Sequence, residues 1–402
     1  MSAHLLTVNG GSSSLKYALF ASGAELQRIE SGVLERIGLA DSSLRIVSST
    51  RRAASTRMVA AADPSAAVAE LIDDLGRQFG LDNIHAVGHR VVHGGERYQQ
   101  SSVIDDALVD ELRRLSPLDP AHLPGEIAIM DAFRRCLPKA LQVACFDTAF
   151  HRDLPRVAQL LPIPRRYFEA GVRRYGFHGL SYTWLLQELE RIAGADAARG
   201  RVVFAHLGSG CSLAAVHHGT CVETTMGFTP TSGLVMGRRA GDLDPGLLIH
   251  LLRDEGLTVD ELDDLVNRQS GLIGVSGTSP DVRDLLAREA DDVRAQEALA
   301  LFCYSVQKSI GGCTAALGGL DTLVFSAGIG ENSAVIRSRI CSGLEFLGVA
   351  LDPDRNGAHA PVISSDDAQV CVRVIPTDEE AIIARDVVRL LQSRMKDGPT
   401  KQ

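Results

Sequence analysis

The residues best suited to chemistry near the N-terminus lie in the stretch Leu5–Phe20. Two apolar runs flank the turn Asn9-Gly10-Gly11, which is followed by three serines and then by Lys16. Two apolar runs around a glycine turn predict a β-hairpin. Because glycine lets the backbone approach an anion closely, a tip that carries hydroxyl, amide and ammonium groups can hold phosphate oxygens. An ordinary surface hairpin is also rich in turn residues, so this stretch alone leaves both interpretations open.

A second stretch of the same design, Arg201–Val216, lies in the other half of the chain. It again has an apolar run, the turn Gly208-Ser209-Gly210 and a second apolar run. Two such units predict two related lobes, each opening with a hairpin that faces phosphate. Because glycine turns are common, a chance pair of hairpins is the alternative.

Charged residues at the ends of two predicted strands form a second group of candidates. Arg90 lies near the end of the apolar run Ile84–Val92, and Asp147 directly follows Leu141–Phe146. Open α/β sheets bind ligands at the carboxyl ends of their strands. Arginine is seldom buried without a partner, so Arg90 is expected to bind an anionic ligand or to form a salt bridge, with Glu96 as the candidate partner. Asp147 could act as a general base, orient another group or cap the following turn.

Histidine and glycine motifs mark two further candidate sites. His178 stands in a tight glycine-containing segment before an amphipathic run, Ser181–Ile192, which favours an exposed ring over a structural histidine. The predicted strand Leu320–Ser326 continues into Ala327–Asn332, with a helix expected from Ser333. A strand, a Gly-x-Gly segment and a helix N-terminus together bind phosphate in many nucleotide sites. A P-loop and a full dinucleotide fingerprint are both absent from the sequence, which disfavours those two classes.

An acidic segment follows the last predicted strand, Val370–Ile375. Thr377 and Glu380 match a capping box for the closing helix. That assignment leaves the Glu379 carboxylate free to face a cleft and hold Mg²⁺, directly or through water.

The composition of the sequence limits the classes to which the protein can belong. The 402 residues are 45% hydrophobic and 23% charged, with a net charge of −9, which fits a globular protein of two or three domains. The negative charge argues against nucleic acid or an anionic membrane as a partner. The sequence has no apolar run of about 20 residues and no signal-peptide pattern. The eight scattered cysteines contain no Cys-x-x-Cys pair and suggest reduced thiols in a cytoplasmic protein.

Helices and loops are expected to position these residues. Asp63 and Pro64 predict the start of a helix that ends at Gly80. Met226–Pro245 is expected to be a long functional loop, and Gly271–Thr278 a glycine-rich turn. The other predicted helices are Asp105–Leu115, His122–Leu137, a short one at Val259–Asn267, one from Asp281, and a long core helix at Val293–Leu317.

Several segments, in order and spread over nearly the whole chain, resemble the acetokinase family of the actin-like ATPase superfamily. They read VNGGSSSLKY, GHRVVHGGE, FDTAFH, YGFHG, HLGSGCS, TMGFTP, MGRRAGDLDP, SGLIGVSG, DVRD, SAGIGEN and IPTDEEAIIARD. The resemblance implies an α/β fold of two ribonuclease-H-like (actin-like ATPase) domains with an interdomain active-site cleft. The expected domains are an N-terminal lobe of residues 1–150 plus 380–402 and a nucleotide-binding lobe of residues 151–379.

The implied activity is the reversible transfer of a phosphoryl group from ATP to acetate, giving acetyl phosphate and ADP, with Mg²⁺ or alternatively Mn²⁺. The resemblance also implies a cytoplasmic homodimer that contributes to acetyl-CoA biosynthesis. The implied catalytic residues are Asp147, His178 and Arg239, the acyl-substrate residues are Arg90, Val92, Ala121, Phe177 and Pro230, and the metal ligands are Asn9 and Glu379. The implied nucleotide residues are Lys16, His206, Leu207, Gly208, Ser209, Gly210, Asp281, Val282, Arg283, Gly328, Ile329, Gly330, Glu331 and Asn332. Because a carboxylate is already a nucleophile at neutral pH, an orienting role is favoured for Asp147.

Four departures from the family pattern bear on these expectations. Ser209 stands where the family usually has asparagine, Arg238 where it has threonine, and Asp378 where it has asparagine. Ala121 replaces a leucine of the methyl pocket, so propionate could be accepted well. The hypotheses are therefore an acetate kinase, a propionate or broader short-chain acyl kinase, and a non-catalytic homologue or actin-like scaffold.

Overall fold

The computed structural model describes residues 4–11, 13–21, 26–48, 54–120 and 122–396. The chain divides into two compact units. Unit 1 consists of Met1–Ala149 together with Asp378–Gln402, and unit 2 consists of Phe150–Thr377. None of the helices in the described part of the chain combines the length and apolar character that crossing a membrane requires.

Unit 1 contains a mixed sheet whose spatial order is β5-β4-β3-β2-β1-β6-β8-β7. The pairs from β5 to β1 are antiparallel, whereas β1, β6 and β8 run parallel. The parallel strands therefore end at one edge of the sheet. The strands are β1 (His4–Gly10), β2 (Ser14–Ala21), β3 (Gln27–Glu35), β4 (Ser43–Ser48), β5 (Ser55–Met58), β6 (Ile84–Val91), β7 (Ser102–Val103) and β8 (Leu141–Phe146).

Helices pack on this sheet and build its core. The described α-helices of unit 1 are α1 (Pro64–Phe79), α2 (Asp106–Leu115), α3 (Leu123–Cys136) and the closing helix α16 (Glu379–Lys396). Helix α1 starts as predicted, since the Asp63 carboxylate accepts a hydrogen bond from the Ala66 amide and Pro64 occupies the first turn. Its apolar face, with Leu71 and Leu75, packs with Leu6 of β1 and other strand residues in one buried cluster.

Unit 2 contains a second mixed sheet of order β11-β10-β9-β12-β13. Its strands are β9 (Val202–Leu207), β10 (Cys211–His217), β11 (Thr220–Thr224), β12 (Thr322–Ser326) and β13 (Cys371–Val374). The first three pair antiparallel, and β9, β12 and β13 run parallel. The same succession, an antiparallel meander followed by two parallel strands, forms the centre of the sheet in unit 1. Both units thus have the ribonuclease-H-like arrangement of the actin-like ATPase fold.

Helices also surround the sheet of unit 2. The longest, α12, is the predicted core helix and buries Leu299, Phe302 and Val306 among its apolar residues. The helices are α4 (Arg156–Gln159), α5 (Arg165–Glu169), α6 (Gly179–Ala193), α7 (Ala195–Arg199), α8 (Pro245–Arg253), α9 (Val259–Asp264), α10 (Gly271–Ser276), α11 (Val282–Leu286), α12 (Val293–Leu317), α13 (Ala327–Asn332), α14 (Ala334–Cys341) and α15 (Pro353–Gly357). Shorter 3₁₀ turns lie at Leu81–Asn83, Ser116–Leu118, Asp147–His151 and Glu345–Leu347, and a π-helical turn at Leu265–Gln269.

Both predicted hairpins are confirmed, as β1–β2 and β9–β10. The prediction of a glycine-rich turn at Gly271–Thr278 is wrong, because residues 271–276 form helix α10. Amides at the start of α10 donate to the preceding loop, from Leu272 to the Met236 carbonyl at 2.8 Å and from Ile273 to the Gly237 carbonyl at 3.1 Å. The helix thus has loop carbonyls as partners for its free amides.

Two other local predictions have different outcomes. The helix predicted from Ser333 is confirmed, since Ser333 caps α14 by accepting a hydrogen bond from the Ile336 amide, and the Gly-x-Gly segment before it is itself helical, as α13. The capping box of Thr377 and Glu380 does not form. Instead, the Asp378 side chain accepts a hydrogen bond from the Ala381 amide at 3.0 Å.

Candidate functional site

Three predicted site residues of unit 1 meet at the carboxyl ends of adjacent parallel strands. Asn9 lies near the end of β1, Arg90 near the end of β6, and Asp147 follows β8. The register places Val8 beside His89 and Arg90 beside Cys145. The topology therefore brings together residues that are far apart in sequence, at the position where α/β sheets bind ligands.

The Arg90 guanidinium joins these residues. Its Nε and Nη2 atoms donate to Asp147 Oδ2 at 3.1 and 2.5 Å, and Nη1 donates to Asn9 Oδ1 at 3.3 Å. Asn9 Nδ2 in turn donates to Glu379 Oε2 at 3.0 Å. Arg90 therefore has an acidic partner, but this partner is Asp147 and not Glu96, the one named from sequence.

Burial and charge shift the protonation equilibria of this cluster. Burial alone lowers the pKa of Arg90, but Asp147, Glu379 and Glu126 more than offset it, so the net pKa is raised and the guanidinium stays charged. Burial raises the pKa of Glu379 to about 7, although Arg90 opposes the shift. Asp147 is fully buried, and its Oδ1 atom has no hydrogen-bond partner among the described residues. Such an atom is a natural acceptor for a bound ligand or water.

The predicted acyl-substrate residues of unit 1 have different outcomes. Val92 is buried directly after β6, and its amide donates to Glu126 Oε2 at 3.0 Å. Ala121 lies outside the described residues, so the pocket argument that rests on it stays a prediction. Next to it, His122 Nδ1 lies 2.8 Å from Asp119 Oδ1.

Lys16 and the two predicted metal ligands occupy the first hairpin and the start of α16. Lys16 is exposed and stands opposite Asn9 in the β1–β2 ladder. Burial raises the pKa of Glu379, and the charge of Lys16 opposes this rise only weakly, after that of Arg90. The amide and carboxylate oxygens of Asn9 and Glu379 are the hard ligands that Mg²⁺ prefers. In the described part of the chain, no group of three or more His, Cys, Asp or Glu side chains is arranged to hold a metal, so water and phosphate would have to complete the coordination.

Contacts with Ser212 and His206 hold the ring of His178 in unit 2. The residue has a left-handed backbone, with φ of 58°, directly before α6. Its Nδ1 atom lies 2.8 Å from Ser212 Oγ on β10, which is itself paired with Tyr182 Oη at 2.5 Å. The ring stacks on His206, with centroids 4.3 Å apart. The ring is therefore partly buried and fixed, and the expectation of an exposed ring is wrong.

His178 and Arg239 converge beside the glycine turn of the second hairpin. A Cβ atom added to Gly210 would lie 3.3 Å from His178 Nε2 and 3.7 Å from Arg239 Nη1. Arg239 Nη1 also donates to the Pro230 carbonyl at 3.3 Å. Arg238, by contrast, is exposed. Two side chains that can carry positive charge thus reach the same small space beside a residue without a side chain.

The remaining nucleotide candidates lie around this turn. Gly237 donates to the Ser209 carbonyl at 3.3 Å, and a Cβ atom at Gly237 would lie 3.1 Å from the Pro280 carbonyl. The segment before Asp281 therefore lies next to the glycine turn. Leu207 and Val282 are buried, whereas Ser209 is exposed and Gly208 and Gly210 are partly exposed.

The two acidic nucleotide candidates have partners within the protein. Asp281 caps α11 by accepting from the Arg283 amide at 2.8 Å, and it also pairs with the Arg283 guanidinium. Glu331 Oε1 accepts from the amides of Ala327 and Thr377, at 2.7 and 3.1 Å. These bonds stabilise the loops that the two residues belong to.

Helix α13 begins beside His206, because Ser326 stands opposite His206 in the β9–β12 ladder. Gly328 is exposed, and a Cβ atom there would meet no atom within 4 Å apart from the neighbouring backbone of α13. Asn332 Nδ2 donates to the Gly328 carbonyl at 2.9 Å. Gly330 is buried and Ile329 partly buried.

Comparison with known proteins identifies the family of this chain. The acetokinase family profile matches residues 4–385. The chain belongs to the acetokinase family. It is 44% identical to a propionate kinase of Escherichia fergusonii over 97% of both chains, and 43% identical to an acetate kinase of Rhodopseudomonas palustris over 97% of this chain and 99% of that one. The crystal structure of a propionate kinase from Francisella tularensis superposes with a TM-score of 0.90 at 33% identity, covering 96% of this chain and 98% of that one.

Sequence reasoning missed two residues of this candidate site. They are Glu126 of α3, which accepts a hydrogen bond from the Val92 amide just after the Arg90 strand, and Ser212, which contacts His178. Glu126 carried a usable signal, because it is a carboxylate on the same face of α3 as the buried Leu123 and Met130. Ser212 carried none, since a serine in a strand next to a glycine turn has many ordinary explanations.

Proposed function

We propose that this acetokinase is an acetate kinase, which reversibly transfers the γ-phosphoryl group of ATP to acetate and gives acetyl phosphate and ADP. The observation that carries the proposal is the convergence of His178 and Arg239 beside the Gly208–Gly210 turn. Phosphoryl transfer needs positioning and positive charge around the transferred group more than covalent chemistry. An arginine and a histidine beside a phosphate-binding turn supply both.

In this mechanism Arg90 binds the carboxylate of acetate, and Asp147 holds the guanidinium in place. Both contacts from Arg90 to Asp147 use one oxygen. The N–H groups of Arg90 that remain can bind substrate. Acetate is ionised at neutral pH and needs no deprotonation, so Asp147 acts as an orienting group. The family resemblance is the basis for proposing that the acyl group contacts Val92, Phe177, Pro230 and Ala121.

The nucleotide is bound by the second hairpin and the loops beside it. The proposed contacts are those of Lys16, His206–Gly210, Asp281–Arg283 and Gly328–Asn332. Asn9 and Glu379 would hold Mg²⁺, for which Mn²⁺ can substitute, and the ion would supply positive charge to the phosphates. His178 Nε2 and Arg239 then stabilise the oxygens of the transferring group.

A broader acid specificity is the second candidate. The relative with 44% identity is named a propionate kinase, and the sequence has alanine at 121, where the family pattern has leucine. One methylene group changes discrimination by about 1–3 kcal/mol. The ratio of kcat/KM for propionate to kcat/KM for acetate separates the two activities. The variant Ala121→Leu is expected to lower this ratio, and an unchanged ratio would show that residue 121 does not determine specificity.

The protein is further proposed to be a cytoplasmic homodimer that supplies acetyl phosphate to acetyl-CoA biosynthesis. The surface formed by α8 and α9 supports the dimer. No residue from 242 to 270 is buried in the single chain. This surface includes large apolar side chains, since Leu247, Ile249 and Leu252 are 42, 49 and 37% exposed. Apolar side chains grouped in this way are typical of an interface between protein chains.

A further inference from the structure

A fourth ionisable group belongs to the cluster around Arg90. Glu126 of α3 is 4% exposed. It interacts electrostatically with Arg90 and with Asp147. The cluster therefore contains one guanidinium and three carboxyl groups, those of Asp147, Glu379 and Glu126. A site that must also accept a carboxylate substrate is crowded with negative charge if all three are ionised.

The two oxygen atoms of Glu126 have different surroundings. Oε2 accepts a hydrogen bond from the Val92 amide at 3.0 Å. Oε1 is buried and has no hydrogen-bond partner among the described residues. A carboxylate with one unsatisfied buried oxygen is costly, whereas a neutral carboxylic acid is tolerated far better. The geometry alone therefore favours the protonated form.

Burial shifts the protonation equilibrium of Glu126 in the same direction. Burial raises the pKa of Glu126 to about 8, with Arg90 and the Val92 amide opposing the shift and with Asp147 and Asp119 adding to it. The charged groups that face Glu126 are thus Arg90 at the end of β6, Asp147 after β8 and Asp119 before α3. Nearby His93 has its pKa lowered by burial to about 4, so its ring stays neutral in the same range.

We propose that Glu126 is a positioning residue that sets the affinity of the Arg90 site for a carboxylate. In its neutral form it fixes the Val92 amide at the end of β6 and leaves the charge of Arg90 to the substrate. In its ionised form it competes with the substrate carboxylate for that charge. This inference rests on the proposed function, because it takes a small carboxylate as the ligand of Arg90.

The test measures acetate binding directly, without turnover. The dissociation constant of ¹³C-labelled acetate is determined by NMR line broadening on the full-length protein from pH 6.5 to 9. With a group titrating near pH 8, wild-type affinity is expected to fall about tenfold between pH 7 and pH 9. The variant Glu126→Gln keeps an oxygen for the Val92 amide and cannot ionise, so it is expected to lose the part of the decline that is centred near pH 8. A change that remains near pH 7 belongs to Glu379, whose carboxyl group also interacts with Arg90.

Two further variants separate charge from structure. Asp131→Asn, on the surface of the same helix, changes the net charge equally and is expected to keep the wild-type pH profile. Glu126→Leu loses the acceptor for Val92 and is expected to weaken acetate binding at every pH. The KM for acetate is measured over the same pH range, and the KM for ATP is expected to be the same in wild type and Glu126→Gln.

The outcomes distinguish this inference from the proposed function. A decline in affinity near pH 8 that Glu126→Gln abolishes supports the inference, even if no acyl phosphate is formed. A flat wild-type profile, or a profile that Glu126→Gln leaves unchanged, overturns it while leaving kinase activity possible. If wild type binds no acetate at any pH, both the inference and the proposed function are wrong.

Discussion

Arg238 and Arg239 are adjacent in sequence, but only Arg239 reaches the space beside Gly210. Removing a group that stabilises transition-state charge typically lowers kcat by a factor of about 10² to 10³. Arg239→Ala is expected to show a loss of at least this size, with the KM for ADP nearly unchanged. The matched control is Arg238→Ala, whose activity should stay close to wild type. Equal effects of the two variants would contradict the assignment of Arg239.

The Arg90–Asp147 ion pair is buried, with the Asp147 side chain 1% exposed. Removing one partner of a buried pair typically lowers the free energy of unfolding by about 3–5 kcal/mol. Asp147→Asn is expected to destabilise the protein by an amount of this order and to raise the KM for acetate. Arg113→Ala, which removes exposed pairs with Asp110 and Asp131, is expected to cost less than about 1 kcal/mol. Urea unfolding measures the free energy of unfolding of both variants. A similarly small loss of stability in the two would refute the structural role of Asp147.

At the scale of elements, helix α10 holds the loop that carries Arg239. Gly271 has φ of 67°, and an added Cβ atom would collide with the Met236 carbonyl and lie 2.7 Å from that of Arg239. Gly271→Ala is therefore expected to displace the loop and lower kcat by at least tenfold. In Gly312→Ala the added methyl group meets no atom within 4 Å apart from the neighbouring backbone of α12, so activity should be retained. Full activity in Gly271→Ala would show that the loop does not depend on this contact.

Strand β6 carries a buried histidine that makes stability depend on pH. His89 pairs with Gln142 at 2.8 Å, and burial lowers its pKa to about 4. In the unfolded chain its pKa is about 6.5, so below that value the unfolded state binds one proton more than the folded state. This histidine is expected to reduce the free energy of unfolding by up to about 1.4 kcal/mol per pH unit between pH 6.5 and 4. His89→Gln should show a shallower decline in this range, measured by urea unfolding, and an unchanged slope would exclude His89 as the cause.

Sequence patterns predicted most of these elements, because hairpins, apolar periodicity and helix caps are local properties. Helix α10 was not predicted, because its start depends on a distant part of the chain. The Leu272 amide at the start of α10 donates to the carbonyl of Met236, more than thirty residues earlier. The capping box at Thr377 and Glu380 failed for a related reason: Thr377 instead pairs with Ser181 and Glu331. Arg90 shows the same limit, because its partner Asp147 comes from another strand and not from the nearby Glu96.

At the scale of the whole molecule, the exposed apolar side chains of α8 bear on assembly. The double variant Leu247→Asp and Ile249→Asp is expected to be monomeric in light scattering coupled to gel filtration, whereas the wild type is expected to be a dimer. Val157→Asp, at another exposed apolar position (82% exposed), should leave the dimer intact. A dimeric double variant would place the interface elsewhere.

The most direct test of the proposed activity is the trapping of acyl phosphate with hydroxylamine, in the presence of ATP, Mg²⁺ and either acetate or propionate. Saturable formation of hydroxamate that depends on ATP and on Arg239 is the expected result, with the ratio of the two acids giving the specificity. The absence of hydroxamate with both acids, from protein that is folded and binds ATP, would contradict the kinase assignment and favour a non-catalytic member of the family.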